Sequence, residues 1–231
     1  MNEALKLEER MKSMSVKVSM VSVDSMQSKV IDLIRKNLAK SKTETFARKP
    51  IVVFARNDEM ADKLHQHLKE KLTEVKKITL LKETATIEEC NDLEKYTVVV
   101  TSDEVLKTTI TFPFSCIPFI IHYNMPATRQ VLLARLSRAR RAFNSSHIAK
   151  YGQMQLRTEF VIPLGQMEET HEQYISRDQF EDLKLYLKRS NAKMPDALEI
   201  IDIRAKKFDC SKCYVVGEHR DSCRFDCPGA Q

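Results

Sequence analysis

Residues Val98 to Arg141 constrain this chain most. An apolar run, Val98-Val99-Val100, passes into the polar Thr101-Ser102-Asp103. A second, Ile117 to Tyr123, passes into Asn124-Met125-Pro126. A basic stretch follows: Arg135-Leu136-Ser137-Arg138-Ala139-Arg140-Arg141. A short run that is apolar at successive positions fits a strand buried on both faces, as in a parallel sheet. Parallel strands need crossovers, usually helical, and ligand-facing residues collect at their carboxyl ends. The segment therefore predicts an α/β sheet whose carboxyl edge is polar and charged.

The rest of the chain fits that frame. Val16 to Val23 alternates apolar with polar residues, as a strand does, and Val30, Leu33, Ile34 and Leu38 mark an amphipathic helix over Ser25 to Leu38. Lys40 to Lys49 reads as a polar loop, and Ile51 to Phe54 as a short apolar strand. Met60, Ala61, Leu64 and Leu68 share one face of a helix over Asp58 to Leu72. A third strand is expected at Lys77 to Leu81, a short helix at Ile87 to Leu93, a last strand at Phe160 to Pro163 and a terminal helix at Ser176 to Leu187. Alternating strands and helices of this kind indicate a parallel sheet covered on both faces. Arg56, Ser102, Asp103 and Asn124 then fall along one edge.

Glycine is scarce, at 4 of 231 residues, and no G-x-x-x-x-G-K-S/T loop or D-E-A-D-like acidic box occurs. This excludes a phosphate-cradling loop of the usual kind. The net charge of +6 is compatible with an ordinary basic surface or with a polyanionic partner. No apolar run is long enough to cross a bilayer, and Met1 to Met20 has no signal-peptide core, so an intracellular, reducing compartment is expected.

Cys90 and Cys116 stand alone in apolar segments and read as structural thiols. The remaining cysteines crowd the end of the chain, as Cys210-x2-Cys213-x5-His219-x3-Cys223-x3-Cys227. Four thiols and an imidazole in so short a segment suit a tetrahedral, structural Zn2+ site. The four thiolates alone would serve, or His219 could replace one of them. Arg220 and Arg224 lie between the ligands and would give the tail a basic face.

The order strand, strand end, strand, arginine helix resembles the second RecA-like lobe of DEAD-box RNA helicases. There the motifs run V-A-T-D-x-A-A-R-G-x-D, I-N-Y-D-x-P and H-R-x-G-R-T-G-R. The segment Leu183 to Leu198, with Pro195, resembles the family's ending, so the likeness covers about residues 14–200. It implies that Arg138 and Arg141 stand where the family's arginines approach the γ-phosphate of ATP bound on a first lobe, with Asp103 nearby. It also implies that Ser102 and Arg56 stand where the family meets RNA phosphates. The departures are as telling. The family histidine is Ala134, its glycines are Ser137 and Arg140, and its ribose-holding carboxylate is Ile110. The RNA-contacting S-Q-x-x-R segment reads Thr86-Ile87-Glu88-Glu89-Cys90. A degenerate lobe followed by a Cys/His cluster is similar to the Yb group and the Tudor-containing helicases of the piRNA pathway.

These readings combine into one expectation. Residues 1–13 form a charged lead-in, 14–205 a RecA-like α/β domain, and 206–231 a zinc-binding tail. The chain would be non-catalytic alone and would bind single-stranded RNA and protein in small-RNA ribonucleoproteins. By resemblance its partners are Tudor and Piwi-pathway proteins and its place is the cytoplasm or perinuclear germline granules. ATP with Mg2+ enters only if a first lobe is supplied. The rival readings are half of an active ATP-dependent RNA helicase, and a pure protein scaffold.

Overall fold

The computed structural model describes residues 14–41, 50–86, 88–89, 92–107, 119–140, 156–164, 183–184 and 187–188. They build a six-stranded sheet from β1 (Met14–Ser22), β2 (Ile51–Ala55), β3 (Ile78–Leu81), β4 (Val98–Ser102), β5 (Phe119–His122) and β6 (Leu156–Leu164). The spatial order is β1-β6-β5-β2-β4-β3, and every neighbouring pair is parallel. Among the described residues, α1 (Met26–Ser41), α2 (Asp58–Lys71) and α3 (Arg129–Arg140) lie over it.

The apolar runs become the central strands. Every residue of β2, β4 and β5 is buried. Alternate residues along each strand face opposite layers. Val53, Val98, Val100 and Ile121 pack under Val30 and Ile34 of α1 and Leu64 and Leu68 of α2. Val52, Phe54, Val99, Ile120 and Phe160 pack on the other face, under Leu132 and Leu136 of α3 and under Leu183 and Leu187. Burying one such aliphatic side chain is worth about 1.5–3 kcal/mol. β1, whose sequence alternates, lies at an edge with β6 as its neighbour.

The expected strands appear, several with shifted ends. α3 begins well before Arg135, because Thr128 starts it: its carbonyl accepts from Leu132 N at 3.1 Å and its hydroxyl from Val131 N at 3.2 Å. α1 runs on to Ser41 into the expected loop. A 3-10 turn over Asp92–Lys95 stands at the end of the expected Ile87–Leu93 helix. Cys90, Cys116, Ile110, Arg141, the lead-in and the zinc-ligand candidates lie outside the described residues. Among the described residues no helix is long and apolar enough to cross a membrane.

Candidate functional site

The carboxyl ends of β2, β4 and β5 meet as expected, and their polar residues are bound to one another. The Arg56 backbone N–H donates to Asn124 Oδ1 at 3.3 Å, which ties the end of β2 to the residues after β5. Asp103 N donates to Ala55 O at 3.2 Å, extending the β2–β4 pairing by one residue. Asn57 caps α2 by accepting from Met60 N at 2.9 Å. The Ser102 hydroxyl donates to the Asp58 carboxylate at the start of α2 and accepts from Glu104 N at 3.2 Å. Ser102 is fully buried, so its hydroxyl belongs to this junction.

The centre of the edge is Arg135. It is fully buried, in contrast to the solvated basic helix that its neighbours in sequence suggest. Nε donates to Asp103 Oδ1 at 2.6 Å and Nη2 to Oδ2 at 2.8 Å, a fork-on-fork ion pair. Nη1 donates to the Asn124 carbonyl at 2.9 Å and to His122 Nδ1 at 3.1 Å. The guanidinium carbon also sits 5.3 Å from the centre of the Phe54 ring. One side chain thereby fastens α3 to the ends of β2, β4 and β5.

His122 completes the network. Its ring stacks on Phe160 at 4.3 Å between centroids, and Nε2 lies 2.7 Å from Thr158 Oγ1 on β6. Because Nδ1 faces a guanidinium N–H, which can only donate, the ring proton belongs on Nε2, where it donates to Thr158. Burial and then the Arg135 cation hold the His122 pKa well below its ordinary value, so the ring stays neutral. A charged imidazole would leave Arg135 facing a second cation.

Sequence reasoning passed over Arg135 and His122 as site residues. The signal for Arg135 was present: it lies between Leu132 and Leu136 on the apolar face of α3. Arg138 is in α3 one turn further on.

The stretch that the resemblance aligns with an RNA-contacting segment spends its polar groups on itself. Thr86 N donates to Glu89 Oε2 at 2.8 Å, and Glu89 N donates to Thr86 Oγ1 at 3.2 Å. That is a reciprocal capping box. Beside it, a cleft of about 280 Å³ opens along β3, lined by Leu80, Leu81, Ala85, Leu93 and Tyr96 among others. No group of three or more metal-ligating side chains occurs among the described residues.

No protein-family model and no curated protein matches this sequence. Solved structures do. The C-terminal domain of the DEAD-box protein Dbp5 superposes with a TM-score of 0.51 at 11% identity, covering 84% of this chain and 97% of that domain. Saccharomyces cerevisiae Dbp5 bound to RNA and ADP BeF3 gives 0.50 at 11% identity, covering 84% of this chain and 44% of that one. The Pyrococcus furiosus Hef helicase domain gives 0.42 at 16% identity, and this chain spans 26% of its length. The parallel sheet with its helices on both faces therefore has the RecA-like fold of a DEAD-box C-terminal domain.

Proposed function

We propose that this chain is a helicase-like second lobe that binds RNA and protein and does not turn over ATP by itself. The observation that carries the reading is the Arg135 clamp. It fastens α3 to the carboxyl ends of the strands, and Arg138 follows about one turn further along the same helix. A catalytic lobe needs fixed positive charge where phosphate charge develops. Here Arg138, Arg141 and Asp103 would be nucleotide-proximal only against a first lobe that supplies the phosphate loop and the Mg2+. The chain spans less than half of the RNA- and nucleotide-bound Dbp5, which fits a lobe acting in partnership.

RNA contact at this edge would fall on Arg56, with Ser102 behind it, and on Arg220 and Arg224 of the tail. The tail's four cysteines and His219 have the donor chemistry of a structural zinc site. A degenerate helicase lobe joined to such a tail supports placement among piRNA-pathway assemblies, with Tudor or Piwi-pathway proteins as partners in cytoplasmic or perinuclear germline granules.

One preparation tests these points together. Pure chain should bind single-stranded RNA in a sequence-tolerant, strongly salt-dependent way, carry close to one zinc per molecule, and leave ATP intact with or without RNA. RNA-stimulated ATP turnover that disappears in Arg138→Ala would overturn the non-catalytic reading. Absence of RNA binding even at low salt would leave the scaffold reading in its place.

A further inference from the structure

The described cations are not shared evenly between the two ends of the sheet. In a parallel sheet each covering helix runs back against its strand. The last turn of α2 therefore lies at the amino edge, away from Arg56 and Asp103. That turn carries the exposed Lys69 and Lys71 with Glu70 between them, and the connection into β3 adds the exposed Lys76 and Lys77. The Lys77 carbonyl accepts from Thr97 N at 2.8 Å and Val98 N at 3.2 Å. Those bonds bring the entry of β3 against the entry of β4 and the exposed Lys95. Arg35 of α1 joins the group by donating to the Lys71 carbonyl at 2.9 Å and to Glu74 at 2.7 Å, which offsets the Glu74 charge.

Lys69, Lys71, Lys76 and Lys77 form no ion pair among the described residues. Towards the carboxyl edge Lys63 holds Glu59 at 2.6 Å, Lys82 holds Asp62 at 2.7 Å and Lys107 holds Glu104, while Lys29 in the first turn of α1 forms no ion pair among the described residues. Lysines in a helix's last turn also complement its dipole, which accounts for Lys69 and Lys71. It accounts for neither Lys76 nor Lys77, which lie beyond the helix.

We propose that the amino edge of the sheet is a docking surface for the phosphate backbone of single-stranded RNA, held by Lys69, Lys71, Lys76 and Lys77. The inference rests on the RNA-binding reading above and adds to the carboxyl-edge contact a second one at the opposite end of the sheet. Flexible point charges that face solvent gain affinity by displacing counterions from a polyanion. An acidic protein fits less well, because protein interfaces are depleted in lysine and need apolar anchors. The residue between the lysine pairs that could serve, Leu72, is buried, and Val75 is half-buried.

Two charge-matched variants decide it: Lys71→Ala with Lys76→Ala and Lys77→Ala, and Lys63→Ala with Lys82→Ala and Lys107→Ala. Binding of a fluorescent single-stranded RNA is followed across salt concentrations for both, and for Arg56→Ala. The amino-edge variant should bind roughly tenfold or more weakly at low salt and lower the log K against log salt slope by roughly 2, about 0.7 per lost phosphate contact. The carboxyl-edge triple variant should stay near wild type. Equal losses in the two triple variants would reduce the effect to net charge and overturn the inference. If Arg56→Ala abolishes binding and the amino-edge variant keeps it, the inference fails while the RNA-binding reading stands. A wild-type chain that binds no RNA ends both. Competition by polyglutamate as effective as by RNA would also overturn it, in favour of an acidic protein partner.

Discussion

The two ends of the sheet are made by the same strands and use charge in opposite ways. At the carboxyl edge most of the named cations are paired, and one pair is buried. Arg135 is buried against Asp103, and Lys63, Lys82 and Lys107 each meet a carboxylate. At the amino edge Lys69, Lys71, Lys76 and Lys77 are exposed and form no ion pair among the described residues. Net charge therefore says little about where a polyanion would settle. A cation already holding a carboxylate at close range has less to gain from a phosphate than one surrounded by water and counterions.

The largest effect that could break this contrast is on stability. Arg135→Ala leaves Asp103 and the Asn124 carbonyl without their donor in a buried place and should cost about 3–5 kcal/mol. Replacing the pair together, Arg135→Met with Asp103→Leu, should recover most of that loss, because no charge is then left alone. Urea unfolding of both variants is the measurement. A wild-type midpoint in Arg135→Ala would mean that the clamp does not hold the edge.

His122 gives a smaller effect with a defined sign. Its folded pKa lies well below the ordinary value, while the unfolded chain should titrate near 6.5. Above that pH both states are neutral at this site. Below it the unfolded chain takes up a proton that the folded chain refuses, so stability falls with falling pH, by up to about 1.4 kcal/mol per unit. His122→Gln keeps a donor and an acceptor without a titrating ring and should lose less stability between pH 7 and pH 5. Parallel losses in wild type and variant would place the sensitivity elsewhere.

The smallest effect sharpens the contrast from the other side. The amino-edge triple variant, Lys71→Ala, Lys76→Ala and Lys77→Ala, should leave the unfolding midpoint where it is in wild type, since those side chains hold nothing together among the described residues. A clear loss of stability would show that these lysines serve the fold, and the two edges would then differ less than their ion pairs suggest.

Much of this architecture was written in local patterns. Val98 to Val100, Ile51 to Phe54 and Ile117 to Tyr123 read as strands because each is apolar at successive positions, and each is buried on both faces. The convergence of Arg56, Ser102, Asp103 and Asn124 followed from strand direction alone. Helix ends were less legible: Thr128 becomes a start signal for α3 only once its hydroxyl is seen to meet Val131 N. The partner of Arg135 could not be read, since Asp103 and His122 reach it only after the crossovers are folded. The spacing of Leu132 and Leu136 puts position 135 on the inward face, although arginine is usually a surface residue. Lys69, Lys71, Lys76 and Lys77 fall within nine consecutive residues, so the sequence already groups them; what the topology adds is their place at the amino edge, where the helix after β2 ends and β3 begins.

The order of the strands has a consequence for how this protein must be made. β1 is the first described strand, and its ladder partner is β6, the last described strand, running from Met14 opposite Leu156 to Ser22 opposite Leu164. On a ribosome, β1 would emerge with no native neighbour and stay so until almost the whole domain had been synthesised. Contacts this distant along the chain close slowly, and an unpaired strand invites pairing with other chains in the meantime. Its polar alternation, Ser15, Lys17 and Ser19 between Val16, Val18 and Met20, suits a strand that must wait in water. Any product cut short before Leu156 would expose two orphaned edges, β1 and the β5 flank that β6 normally covers. Shortened versions of this domain should therefore aggregate rather than report on its binding.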